Sequence, residues 1–149
     1  MPNTDSLYTV TKAIQTLLQA NYVALELDRP EDVTYGDQDK IPRTPFLCVE
    51  SGPKTRTIDG KGASGRTENN FTVFIMCYIS NIRSVQENRE DADLFAEQIE
   101  ALLHSDVQLG GIVIHGFVTS IEPGYATRSG ALMRVARITW QGLTKTLIT

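Results

Sequence analysis

The segment from Phe71 to Ser80 constrains this chain more than any other. Phe71, Val73, Ile75, Cys77 and Ile79 alternate with Thr72, Phe74, Met76 and Tyr78. Successive side chains of a strand point to opposite faces, so both rows of an extended chain here are largely apolar. A strand with one wet face carries a polar row there, and this one does not. It is expected to run through the middle of a sheet, covered on two sides. The rest of the chain must therefore supply strands beside it and helices over it. The longest unbroken apolar run, Val73 to Ile79, falls far short of the roughly 20 residues that a helix needs to cross a bilayer. No membrane partner is expected, and the N-terminal residues lack the basic start and apolar stretch of a secretory signal.

Two helices can be read from the periodicity. Leu7, Val10, Ile14, Leu17 and Leu18 recur at helical spacing, with Ser6 placed to cap the start and Asn21 the end. Ser84 and Glu87 have capping-box spacing. They open a second helix whose buried stripe is Ala92, Phe95, Ala96, Ile99, Leu102 and Leu103 and which ends before Gly110 and Gly111. Its acids Glu90, Asp91, Asp93, Glu97 and Glu100 face elsewhere. Phe46 to Glu50 reads as a strand introduced by Pro42 and Pro45 and ended by Ser51, Gly52 and Pro53. Residues 112–121 and 132–144 read as a closing hairpin with its turn at Pro123 and Gly124. Between the first two strands, from Pro53 to Asn70, lies a polar, glycine-rich excursion, either a long hairpin arm or a mobile loop. The expected fold is α+β: one domain over residues 1–149, with an antiparallel or mixed four-stranded sheet, two helices packed on it and the arm.

Chemical motifs are sparse. Gly60 to Thr67 differs from a phosphate-binding loop by Arg66 in the lysine position, but it lacks the preceding buried strand and the following helix that such a loop requires. Cys48, Cys77, His104 and His115 have no close metal-ligand spacing. His104 falls at a helix end, where a positive charge suits the helix dipole, and both cysteines read as buried free thiols. Asp37 and Asp39 lack the further ligands of a calcium loop. No activated nucleophile is evident, so no catalytic residue, cofactor or metal is expected.

Charge, in contrast, is segregated. Residues 26–39 carry six acids against Arg29, and the stretch should be an exposed loop. Residues 40–66 carry Lys40, Arg43, Lys54, Arg56, Lys61 and Arg66 against Glu50 and Asp59. Oppositely charged surfaces of this kind can steer and register neighbouring copies in a head-to-tail assembly.

The element order, the polar arm, the charged second helix and the closing hairpin together resemble, from Leu7 to Leu143, the tail terminator and tail-completion (neck) proteins of long-tailed bacteriophages. The resemblance implies a structural virion protein, not an enzyme. Its partners would be copies of itself in a ring, usually a hexamer, together with the tail tube protein and the head connector or neck proteins. Genome DNA would pass through the lumen without sequence-specific binding. The place implied is the virion's tail-neck junction, after assembly in the host cytoplasm. A head-tail connector or neck adaptor is the alternative role. Lys54, Arg56, Lys61 and Arg66 on the basic side, and Asp37 and Asp39 on the acidic side, are the candidate interface residues. Two other classes compete. A nucleic-acid-binding module would need a basic face with exposed aromatics, whereas the net charge is −4. A small enzyme would need a polar pocket near His104 or His115.

Overall fold

In the computed structural model of the chain, the structure describes residues 6–59, 66–81, 89–128 and 130–147. The capping box at Ser84 and Glu87, residue Lys61 and most of the phosphate-loop-like segment lie outside the described residues.

The doubly apolar segment becomes part of β3 (Arg66–Asn81). On one side it pairs antiparallel with β2 (Phe46–Asp59), and on the other with β5 (Ala131–Leu147). β4 (His115–Arg128) pairs antiparallel with the outer side of β5, and the short β1 (Val33–Tyr35) runs parallel to β2 at the opposite edge. The sheet is therefore mixed and has five strands in the order β1-β2-β3-β5-β4, rather than four. The additional strand arises inside the acidic stretch. Val33-Thr34-Tyr35 is a β-branched and aromatic triplet, the composition that suits a pleated, half-buried surface. Val33 is buried, and its carbonyl accepts 3.1 Å hydrogen bonds from the side-chain amides of both Gln15 and Gln19. Leu27 and Asp32 are buried nearby, and Asp32 is paired with Arg43, so this stretch is only partly an exposed loop.

Both helices lie on one face of the sheet. In α1 (Leu7–Ala20), the Ser6 hydroxyl accepts from the Thr9 amide, and the Asn21 side chain donates to the Leu17 carbonyl, which satisfies groups that the helix ends leave open. Val10, Ile14 and Leu18 are fully buried, each worth about 1.5–3 kcal/mol relative to exposure. α2 (Arg89–His104) contributes Ala92, Phe95, Ala96, Ile99 and Leu103 to the same core. These pack on Leu47 and Val49 of β2, on Phe71, Val73, Ile75 and Cys77 of β3, and on Ala136, Ile138 and Trp140 of β5.

Among the described residues, the second face of β3 is covered by chain at one end. There, the segment 36–45 crosses the sheet and closes a smaller cluster of Ile41, Phe46, Cys48, Tyr78, Met133 and Val135. Further along, Phe74 is half-buried beneath the guanidinium of Arg137, 4.8 Å from its ring centroid. The two-sided cover expected for this strand is thus half protein core and half an amphipathic arginine laid over an aromatic ring.

Two expected breaks do not break their strands. At Gly52 and Pro53 the register with β3 merely shifts, and β2 continues to Asp59. A Cβ on Gly52 would lie 2.8 Å from the Phe74 ring, so the bulge presses bare backbone onto β3. Likewise, β4 runs through Pro123 and Gly124, and the hairpin turns only beyond Arg128, where Gly130 has φ +77. Edge strands tolerate proline because half of their backbone N–H groups face away from the ladder.

Trp140 explains two further glycines. Its indole is fully buried, and a Cβ on Gly116 or Gly142 would lie 1.9 or 2.2 Å from it. Gly142→Ala is expected to destabilise the fold by about 3 kcal/mol, the upper end of the overpacking range. Gly124→Ala, with nothing within 4 Å, should stay within about 0.5 kcal/mol. Urea unfolding followed by the fluorescence of Trp140, the sole tryptophan, measures both. Equal losses would remove the packing explanation.

Candidate functional site: a basic arm and an acidic far end

The polar excursion is a three-stranded arm. β2 and β3 stay paired from Lys54↔Phe71 to Asp59↔Arg66, and β5 follows β3 to Arg66↔Leu147. β4 flanks only the base of the arm, because its pairing with β5 stops at His115↔Leu143, beside Asn70. Lys54, Arg56 and Ile58 alternate along one side of β2. Nε of Arg56 donates to Oδ1 of Asn69 at 3.0 Å, and Nδ2 of Asn69 donates to Oγ1 of Thr144 at 3.1 Å, a polar ladder across all three strands. Asn69 and Thr144 are buried. Nζ of Lys54 lies 5.6 Å from the Phe71 ring centroid. Ile58 is 70% exposed on the arm. Arg66 opens β3 opposite Asp59 and Leu147.

Asp37 lies at the other end of the sheet. Its Oδ1 accepts from the Tyr78 hydroxyl at 2.5 Å and from the Gln38 amide at 2.9 Å, and its Oδ2 accepts from Nη2 of Arg128 at 3.0 Å. The Arg128 guanidinium also stacks 5.4 Å from the Tyr78 ring centroid. These contacts pin the segment 36–45 to β3 and to the tip of β4. Asp39 is exposed beside them. Asn69 and Tyr78 are nine positions apart on β3, about 30 Å at 3.3 Å per residue. The basic residues of the arm and the acidic pair 37 and 39 therefore cannot meet within one chain.

Burial opposes ionisation of Asp37, but the hydrogen bonds from Tyr78, Arg128 and Gln38 and the charge of Arg128 outweigh it and hold the carboxyl below its ordinary value of 3.8. Burial, with the Asp37 carboxylate adding to it, raises the Tyr78 phenol. Arg128 is also raised, its pairing with Asp37 outweighing desolvation.

A second acidic surface runs along α2. Glu90, Asp91, Asp93 and Glu97 are exposed, and among the described residues none of them is in an ion pair. Leu94 stands among them, 59% exposed.

The histidines and cysteines do not converge. Phe117 lies between His104 and His115, with ring centroids 5.8 and 5.4 Å away. Nε2 of His104 accepts from the Val118 amide at 3.0 Å, so His104 joins the end of α2 to β4. Cys48 and Cys77 are free and buried in separate clusters. Burial pushes the Cys48 thiol up to about 11 and raises Cys77 as well. Among the described residues no three His, Cys, Asp or Glu side chains could hold a metal ion. A mostly apolar cavity of about 510 Å³ lies between α1 and residues 106–112, lined by Tyr8, Lys12, Leu17, Asp106, Leu109 and Ile112 among others.

Sequence spacing points to the arm and to the acidic stretch, but it has no signal for Arg128 or Tyr78 as partners of Asp37, nor for Ile58 as an exposed apolar residue among the arm's cations.

No protein-family model matches the sequence, and no curated protein matches it. Among solved structures, the chain is similar to one in the virion of a native gene transfer agent particle. The TM-score is 0.40 and the identity 11%, with 90% of this chain and 93% of that chain covered.

Asp37→Asn should lower stability by about 1 kcal/mol at pH 7, the low end for hydrogen bonds to a charged group, because Asp37 is exposed and solvent screens its pair with Arg128. Because the folded carboxyl is depressed, its contribution is complete above the ordinary value of 3.8 and is lost as the pH falls through the lower folded value. The difference between wild type and variant should therefore shrink on acidification below about pH 4. Urea midpoints across this range test it, and a gap that widened in acid would rule out the ionised clamp.

Proposed function

We propose that this chain is a non-enzymatic structural subunit of a virion, one domain that joins copies of itself into a ring. The ring caps the tail tube and joins it to the head connector, with the genome passing through the lumen. One observation carries this reading: the basic arm and the acidic end are held about 30 Å apart on one continuous strand. A subunit with basic residues on the arm and exposed acids such as Asp39 at the far end can turn each end to a different neighbour, so that one copy contacts two others. Such heterologous contacts repeat, and they close into a ring when the rotation per copy allows. The arm also suits a docking role, since its polar ladder through Arg56, Asn69 and Thr144 ties three strands together. A preorganised element of this kind loses little further freedom on binding. The element order that resembles tail terminator and tail-completion proteins points the same way.

Absolute mass by light scattering, over a range of protein and salt concentrations, tests the ring. The expected result is a discrete species near six copies that dissociates as salt rises, because exposed charge pairs are screened. A strict monomer at every concentration would remove a preformed ring.

A further inference from the structure

A groove of about 330 Å³ runs beside α2 at the end of the sheet remote from the arm. Pro45, Ile79, Leu94 and Phe95 give it apolar walls, and Glu26 and Asp91 stand at its margin. The arm offers the matching chemistry. Lys54, Arg56 and Ile58 recur every second residue along β2, about 7 Å apart, on one side of the strand. Ile58 is 70% exposed and Leu94 59% exposed, large apolar side chains that are left to water in one copy. Ile58 pairs with Thr67 and Ile79 lines the groove, so arm and groove are separated by twelve positions of β3, about 40 Å. An arm cannot reach the groove of its own chain.

We propose that the arm of one copy docks into the α2 groove of the next, with Ile58 seated against Leu94 and Phe95, and with Lys54 and Arg56 facing Asp91 and Glu26. The occupant is thus a second copy of this chain, and the inference rests on the head-to-tail reading above while naming its two surfaces. An apolar contact at the centre with charged groups around it supplies both affinity and register.

Site-specific cross-linking tests the contact. Ile58→Cys and Leu94→Cys are made separately in the full chain, where exposure at both positions leaves the core untouched. The native thiols, Cys48 and Cys77, are fully buried and react slowly with maleimides. When the two variants are mixed and treated with a short bis-maleimide, a covalent dimer should form that neither variant gives alone. Adding Asp91→Arg to the Leu94→Cys chain should reduce its yield at least about tenfold, through like charge against the arm. If wild-type protein forms its multi-copy species and the mixed cross-link is absent, or if Ile58→Cys links to itself equally well, this docking is wrong and the ring reading stands. If the cross-link forms but the mass shows open chains without a discrete closed species, the docking stands and the ring falls. Monomers without any cross-link overturn both.

Discussion

The structure depends on β3 being paired along almost its whole length on both sides. β2 follows it from Arg66 to Tyr78 and β5 from Arg66 to Asn81, each with a single register shift. Three long antiparallel strands form a twisted but stiff beam, because the two neighbouring ladders together take up most of the backbone donors and acceptors of the middle strand. Both helices, the crossing segment 36–45 and the arm are attached to this beam at different points along it. The distance between the basic and acidic regions is consequently a property of backbone hydrogen bonding, and no surface side chain can alter it.

The two faces of the beam are built differently. The helix face is dry and continuous, from Val10 on α1 to Trp140 on β5. The opposite face is apolar only where the segment 36–45 shields it, and that shield is fastened by polar contacts, with Asp37 bound to Tyr78 and Arg128. Where the shield ends, Arg137 takes over, stacking on Phe74 and reaching Glu122 at 3.4 Å. A polar fastening is suited to this position, since it holds the segment in place without requiring a second full core beneath it.

Much of this architecture was legible in the sequence, and what was missed has a common cause. The amphipathic stripe of α1 and its two caps, the apolar stripe of α2 and the central place of β3 all follow from local periodicity, and the structure places them as read. By their local chemistry Gly52-Pro53 mark a strand end and Pro123-Gly124 a turn, because these residues break isolated strands. In the sheet, they sit at a bulge and in an edge strand, where the neighbouring ladder supplies the order that their local chemistry withholds. β1 is hidden for the converse reason: three residues between acids carry too little pattern of their own, and the side-chain amides of Gln15 and Gln19 together with the adjacent β2 make a strand of them. The arm's basic residues were visible as a run of charge. Its third strand and Arg128 as the partner of Asp37 depend on register between segments far apart in sequence, which spacing alone does not encode.

The order of strands has a consequence for the order of events during synthesis. Among the described residues β4 pairs with β5 alone, and β5 is inserted between β4 and β3. As the chain leaves the ribosome, α1 and the first three strands can associate, but β4 emerges with nothing to pair with until β5 follows it. The outer side of β3 stays open for the same interval, and so does the third rail of the arm. The surface proposed to meet a neighbour is therefore the last part of the subunit to be completed. A nascent chain cannot present a finished arm to another copy, which keeps folding within one molecule ahead of assembly between molecules.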